Sequence, residues 1–274
     1  MTTLSNAERL QFSTVKLTAI KGGQPIGTGT GFFYEFLSSD KGGLPTIITN
    51  KHVPGDADLI RATCHLLGDD GMPTGKSREF DIPNNPYYRA DHPNSDVDLC
   101  AFVLTEKLED ADQEGRSIFY GAITKDLIPT REEWESFDAI EDVTMIGYPR
   151  GLSDRVNNFP IIRSGITASS LGRDYNGRAE FMADMACFPG SSGSPVFVLD
   201  RNGFRDKRTG TYHPAASRFK FVGILYSGPT ITNEGEIIFS NQPTVEVAAM
   251  MHLGNIIKST ELEAFEEFFK KNIR

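Results

Sequence analysis

Phe188-Pro189-Gly190-Ser191-Ser192-Gly193-Ser194-Pro195 sets a serine, Ser192, within a glycine-rich turn. Glycines let a backbone bend tightly enough to aim two N–H groups at one point. Donors so placed stabilise the oxyanion of a tetrahedral intermediate beside an attacking hydroxyl. A serine hydroxyl is a weak nucleophile and needs a base, so this stretch alone reads equally well as an ordinary Gly/Ser loop. His52 is the candidate base. It follows the short apolar run Thr46-Ile47-Ile48-Thr49-Asn50, where a strand can hold a side chain rigidly. The other histidines, His65, His92, His213 and His252, have no such setting and receive no role. Asp98 is the candidate acid. Asn94-Ser95-Asp96-Val97-Asp98-Leu99-Cys100-Ala101-Phe102 places it at the mouth of an apolar strand. A carboxylate that accepts the Nδ1–H of a histidine fixes its tautomer and stabilises the imidazolium. Asp96 competes for the role, but the apolar run begins directly after Asp98. A turn or strand cap is the plain structural use of either aspartate.

The elements that must position these residues read mostly as strands. Val15, Leu17 and Ala19 alternate with polar residues. Strand patterns recur at Leu99 to Leu104, Val143 to Ile146, Ile161 to Ile166, Ser194 to Leu199 and Phe219 to Leu225, with turn residues between them. Many short strands with irregular connections suggest a barrel or a sandwich. Gly27-Thr28-Gly29-Thr30-Gly31 runs into aromatic strand formers rather than a helix. It therefore reads as a glycine-rich hairpin entering a strand, where small residues allow close backbone approach, and not as a phosphate cradle. Thr130-Arg131-Glu132-Glu133 has the capping-box pattern, with Trp134 and Phe137 one turn apart after it. Thr260-Glu261-Leu262-Glu263 repeats the pattern before a C-terminal helix. That helix has Leu262, Phe265 and Phe269 on one face and Lys270, Lys271 and Arg274 near its end. It is expected to pack against the second half of the chain.

Composition narrows the function classes. A chain of 274 residues suffices for one large domain or two small ones. The net charge of −9 and pI of about 5.1 argue against a general nucleic-acid binder. Arg201, Arg205, Lys207, Arg208, Arg218 and Lys220 cluster locally, but Gly203, Asp206 and Gly210 interrupt them, which reads as a solvated loop. The odd count of cysteines (Cys64, Cys100 and Cys187) does not make a disulfide framework. No metal-ligand spacing of the C-x-x-C or H-E-x-x-H kind occurs, and neither a metal nor a cofactor is expected. The first twelve residues lack the basic and apolar regions of a secretory leader, and no run approaches a membrane span. A cytoplasmic protein without membrane or nucleic-acid partners is the expectation.

With these motifs in hand, the chain resembles the trypsin/chymotrypsin superfamily of serine proteases. The order is His, Asp, Ser; His52 precedes Asp98 by 46 residues, and Asp98 precedes Ser192 by 94. The likeness is greatest to the bacterial trypsin-like branch that includes HtrA and glutamyl-endopeptidase relatives. Thr49-Asn50-Lys51-His52-Val53, Asp98-Leu99-Cys100-Ala101 and Gly190-Ser191-Ser192-Gly193-Ser194-Pro195 are similar to its motifs. Ile146 to Leu152 looks like the segment opening its second barrel, and Gly27 to Phe33 is loosely similar to its first-barrel hairpin.

The resemblance implies an all-β fold of two antiparallel six-stranded β-barrels, here followed by a C-terminal α-helix. Its divisions would be an N-terminal extension over 1–12, a first barrel over 13–110 and a connecting segment with a short helix over 111–142. A second barrel over 143–258 and the helix over 259–274 complete the chain. His52 and Asp98 would come from the first barrel and Ser192 from the second, with the N–H groups of Gly190 and Ser192 as oxyanion donors. Ala186, Tyr226 and Gly228 would line the substrate site. Protein or peptide substrates and a regulatory partner protein follow as expectations.

Departures from the family pattern stand out. Ser191 occupies the place where digestive enzymes carry the aspartate that pairs with a new N-terminus. Ala186 gives the specificity pocket no carboxylate, which points to small-to-medium apolar residues before the scissile bond. Tyr226 is bulkier than the usual serine. No pattern of an appended PDZ module follows residue 258. The alternative is a catalytically silent binding module on the same fold. An α/β-hydrolase is disfavoured because Ser194 stands where its Gly-x-Ser-x-Gly elbow needs glycine, and its triad runs in a different order.

Overall fold

The first turn of the chain is made by Gly22 and Gly23, whose φ angles of 56° and 78° are both positive. They join Lys21 to Gln24 as a two-residue hairpin, the kind that requires left-handed backbone at both central positions. The sequence reading puts the hairpin at Gly27 to Gly31; those glycines instead lie within the 16-residue strand that follows. Their smallness serves close approach. A Cβ on Gly29 would meet Val53 Cγ1 at 2.5 Å, and one on Gly31 would meet Ile47 Cγ2 at 2.7 Å.

The computed structural model describes residues 4–40, 42–228, 230–231 and 249–272. The first half contains β1 (Thr14–Lys21), β2 (Gln24–Ser39), β3 (Gly42–Thr49), β4 (Leu59–Leu67), β5 (Pro73–Pro83), β6 (Arg89–Asp91), β7 (Cys100–Val103) and β8 (Ile118–Phe119). The second contains β9 (Asp142–Gly147), β10 (Ile161–Thr167), β11 (Glu180–Asp184), β12 (Pro195–Asp200), β13 (Phe204–Arg205), β14 (Tyr212–His213), β15 (Arg218–Ser227), β16 (Thr230–Ile231), β17 (Ala249–Met250) and β18 (Leu253–Lys258). The helices are α1 (Asn6–Ser13), α2 (Thr105–Gln113), α3 (Arg131–Ser136) and α4 (Leu262–Asn272).

The second unit closes as the expected six-stranded antiparallel barrel, in the order β10-β11-β18-β15-β12-β9. The first is an eight-stranded sheet, β5-β4-β1-β2-β3-β7-β6 with β8 beside β4, and the mostly-β architecture with its C-terminal helix is consistent with the expected double barrel. Its end strands do not pair with each other among the described residues. The β5 edge exposes Lys76, Arg78 and Glu79, a charge pattern that discourages further strand pairing. The expected connecting segment is woven into this sheet, since β8 pairs with β4 and Ile123 bridges Tyr34.

Alternation along strands builds three cores. On β2, Phe33 faces the interior of the first sheet with Leu17, Ile47 and Phe102, while Phe32 and Tyr34 face the other way. On β12, Val196 and Val198 fill the second barrel, and Phe197 points out of it. Phe32 and Phe197 meet in a shared core between the units with Phe221, Ile224 and Ile257. This shared core fixes one unit against the other. α4 closes it: the Phe36 ring lies 5.1 Å from Phe269, and the Leu37 N–H donates to Glu266. The helix therefore packs back on β2 of the first unit, because its apolar face matches the aromatic end of that strand.

Two further expectations change. The residues read as a polar extension contain α1, capped by a reciprocal Ser5–Glu8 box, with Leu10 and Phe12 buried. Of the basic cluster, Arg201, Arg205, Lys207 and Arg208 are exposed, but Arg218 is not. It ion-pairs with Glu141 and Asp200, each at 2.6 Å, and stacks over Phe137 and Phe204. Removing one member of such a buried pair leaves uncompensated charge. Arg218→Ala should therefore cost about 3 kcal/mol of unfolding free energy in denaturant titration. A loss below about 1 kcal/mol would mean that solvent already screens the two carboxylates.

Candidate active site

β3 ends at Thr49, and the next three residues carry the site's first half. The Asn50 side-chain N–H donates to the Asp98 carbonyl at 2.8 Å, tying the end of β3 to the turn before β7. The His52 backbone N–H reaches Asp98 Oδ1 at 3.3 Å, and His52 Nδ1 lies 2.6 Å from Asp98 Oδ2. The carboxylate thus spans both the backbone and the ring of His52. Asp96 is exposed, and its backbone N–H turns back to Asn94 Oδ1. The imidazole is 49% exposed and open to a ligand, while the carboxylate behind it is 28% exposed.

The second half lies on the loop between β11 and β12. Its shape is set by backbone bonds: Ser191 N–H to Phe188 O, and Ser194 N–H to Ser191 O. Gly190 and Gly193 have φ of 88° and 86°, which side-chain-bearing residues adopt only at a cost. Space demands glycine as well. A Cβ on Gly193 would sit 1.9 Å from Thr30 O, and one on Gly190 would sit 2.8 Å from Tyr148 O.

Pro189 O accepts the Arg150 N–H at 2.6 Å. A trans peptide holds its C=O and its N–H on opposite sides. Fixing the Pro189 carbonyl on Arg150 therefore turns the Gly190 N–H the other way. Neither that N–H nor the one of Ser192 has an acceptor among the described residues. Ser192 Oγ bonds Tyr226 O at 3.4 Å; no hydrogen bond joins it to His52.

The two halves are stitched together by Thr30, a residue the sequence reading assigns no role. Its N–H donates to Ser192 O at 2.9 Å, and its Oγ1 donates to Gly190 O at 2.9 Å and accepts the Tyr148 N–H. Thr49 Oγ1 donates to Thr30 O at 2.7 Å. Thr30 sits inside the glycine run whose only legible signal was close backbone approach. Arg150, φ 51°, lies in the Ile146 to Leu152 segment read as opening the second barrel, but nothing in that segment signalled its bond to Pro189. Ser191 is fully buried, and its hydroxyl has no partner, so the loop is held by its backbone rather than by that side chain.

Tyr226 and Gly228 lie at the end of β15 and just beyond it, and Ala186 is half-buried in the segment after β11. A Cβ on Gly228 would meet Leu253 O at 2.8 Å and Cys187 Cβ at 3.9 Å; one on Gly254 would meet Cys187 Sγ at 2.7 Å. Both positions are therefore too closely packed for a side chain, Gly254 directly against Cys187, whose thiol burial pushes up to about 11. The Tyr226 hydroxyl turns away to Glu180 at 2.9 Å; burial first, and then that bond, push it up to about 12. The Arg163 guanidinium stacks over Phe188 at 4.9 Å. All the cysteines are buried and free, no metal-holding cluster occurs among the described residues, and none of their helices is long and apolar enough to cross a membrane.

Residues 29–203, well over half the chain, match a family described as a trypsin-like peptidase domain. No curated protein matches the chain. The stitching by Thr30 has a direct consequence. Thr30→Val keeps the shape and removes the hydroxyl, leaving Gly190 O and the Tyr148 N–H unbonded in a buried place. Unfolding free energy should fall by about 1–3 kcal/mol, and the loss should disappear only if water replaces the hydroxyl. Denaturant melts of the two proteins measure it.

Proposed function

We propose, for a chain that belongs to the trypsin-like peptidase domain family, that it is a serine endopeptidase acting through His52, Asp98 and Ser192. The observation that carries this reading is the 2.6 Å contact between His52 Nδ1 and Asp98 Oδ2, and the unbonded N–H groups of Gly190 and Ser192 on the glycine-rich loop support it. In the proposed reaction, His52 Nε2 takes the proton of Ser192 Oγ as that oxygen attacks the peptide carbonyl. Asp98 accepts the Nδ1–H, holds the ring in the tautomer whose Nε2 is basic, and stabilises the imidazolium. The N–H groups of Gly190 and Ser192 receive the oxyanion. His52 then protonates the departing amine, leaving an acyl group on Ser192, and a water activated by the same histidine releases it.

The Ser192–Tyr226 bond favours a second reading, a catalytically silent binding module on this fold. At 3.4 Å that bond is long, and rotation about one side-chain torsion redirects the hydroxyl. Catalytic bonds often tighten only when substrate is present. A fluorophosphonate probe separates the readings. Full-length protein, its N-terminus verified intact by mass spectrometry, should be labelled on Ser192 without prior proteolysis, and Ser192→Ala should not react. Asp98→Asn should lower kcat by roughly 10⁴-fold, whereas Asp96→Asn should stay near wild type. Labelling on Ser191 or Ser194, or labelling only after cleavage near residue 12, contradicts the assignment.

Competence without N-terminal cleavage is part of the proposal. Ser191 offers no charge for a new amine to pair with, and the Arg150–Pro189 bond already orients the Gly190 N–H. The free buried thiols suit a reducing, cytoplasmic setting.

For specificity, small-to-medium apolar residues before the scissile bond are proposed. Ala186 brings no carboxylate, and the next residue, Cys187, is a buried thiol whose burial keeps it protonated. A Lys or Arg bound there would remain unpaired, at high cost. A peptide-library cleavage profile should be led by Ala, Val or Leu at that position. A profile led by Lys or Arg would refute it, and one led by Glu or Asp would point instead to Arg163.

A further inference from the structure

The Arg150–Pro189 bond sits at one end of the 149–160 loop, and the other end of that loop is packed against the N-terminal helix. Phe12 of α1 makes edge contacts with Phe159 at 5.4 Å, His65 at 4.8 Å and Phe119 at 5.1 Å. Phe159 is tied back into the loop, since its carbonyl accepts the Asp154 N–H at 3.0 Å. The next residue inward, Asn158, reaches across to the first sheet, its side-chain N–H donating to Thr63 O at 3.2 Å. A second link runs from the start of β1. The buried Tyr148 hydroxyl lies 3.4 Å from both Thr14 O, directly after α1, and Asn158 O. Tyr148 in turn shares Thr30 Oγ1 with Gly190 O.

We propose that α1 is a built-in brace for the oxyanion loop, with Phe12 as its positioning residue. Docking of Phe12 against Phe159 and His65 holds the 149–160 loop, and so keeps the Arg150 N–H on Pro189 O and the Gly190 N–H turned away from Arg150. The inference rests on the serine-peptidase reading for its effect on rate, but its structural core stands apart from it. Arg150 has φ 51°, left-handed backbone that a non-glycine residue keeps only where its surroundings over-determine it. The surroundings that do so include the turn bonds Gly151 N–H to Tyr148 O and Leu152 N–H to Pro149 O, and the aromatic anchor at Phe159. Freed from α1, the loop can relax to ordinary backbone, which removes the donor from Pro189 O and lets that peptide turn over. The arrangement reverses the order of a cleavage-activated zymogen: here the uncut N-terminal segment supports the competent state, and its removal weakens it.

The test uses the full chain with Phe12→Ala, and Phe159→Ala as the partner variant on the loop side. The first readout is hydrogen exchange at the Arg150 amide, followed by NMR, which reports local opening without needing activity. It should accelerate about tenfold or more in both variants, relative to amides of β12 and β15. The second readout is kinetic. In each variant kcat should fall about 10- to 100-fold with KM little changed, as expected for misplacement of a transition-state donor. Phe12→Leu, which keeps an apolar anchor, should recover most of the rate. Unchanged Arg150 exchange in a folded Phe12→Ala or Phe159→Ala protein overturns the brace, even if its melting temperature falls. If Phe12→Ala does not fold, Phe159→Ala decides by the same criterion. If wild type shows no hydrolysis or labelling, the peptidase reading fails, and the exchange measurement still decides on the brace.

Discussion

Thr30 is where the two halves of this molecule become one site. Its backbone N–H, its hydroxyl and its carbonyl bind Ser192 O, Gly190 O and the Thr49 hydroxyl respectively. Through Thr49 and Asn50 the same strand end leads to His52 and Asp98. The side-chain bonds of Thr30 and Thr49 in this chain are buried, and that of Asn50 half-buried, where an unmade partner costs far more than a made bond gains. Mutual satisfaction therefore specifies a single register of the nucleophile loop against β2. The aromatic core of Phe32, Phe197 and Phe221 lies between the units and supplies the non-directional part of the same contact.

Glycine is required at this junction for two separate physical reasons. At Gly193 and Gly190 the backbone is left-handed, and at both there is no volume for a Cβ beside the neighbouring backbone. The result is a loop whose donors are oriented by covalent geometry and backbone bonds, not by a charged side chain. That distinguishes it from a loop held by a buried ion pair. Ser191, lying where such a charge would sit, is enclosed with its hydroxyl unpaired.

The order of the site was legible where local pattern and chemistry coincide. Asp98 was separable from Asp96 because an apolar strand starts directly after it, and in the structure the residue at that strand's mouth lies against Asn50 and His52. The strands β9, β10, β12 and β15 were legible from their apolar runs. What local pattern could not show was long-range bonding. Arg150 acts through its backbone N–H, which nearly every residue possesses, and Thr30 through a hydroxyl whose partners lie more than 110 residues away, so neither residue type gave a hint of its role. The Ser5-x-x-Glu8 box and the Gly22-Gly23 pair carry local signals of their own, but a polar N-terminus and the denser glycine run at 27–31 stand beside them and carry competing ones. The direction in which α4 packs depends on Phe36, more than 220 residues earlier in the chain, and no periodicity within the helix encodes that. The two-unit all-β architecture was legible through resemblance, whereas the extra strands that make the first sheet eight-stranded were not.

The central claim is that an intact chain already presents Ser192 and two oriented N–H donors to a carbonyl. A crystal structure of the full-length protein with a peptide boronic acid tests it most directly. The account predicts a covalent bond from Ser192 Oγ to boron and a boronate oxygen about 2.7–3.1 Å from the N–H groups of Gly190 and Ser192. His52 should sit within hydrogen-bond reach of the adduct, and the Arg150–Pro189 bond should be unchanged. A boronate bound elsewhere, or one accommodated only after the Pro189–Gly190 peptide has turned over, would contradict it.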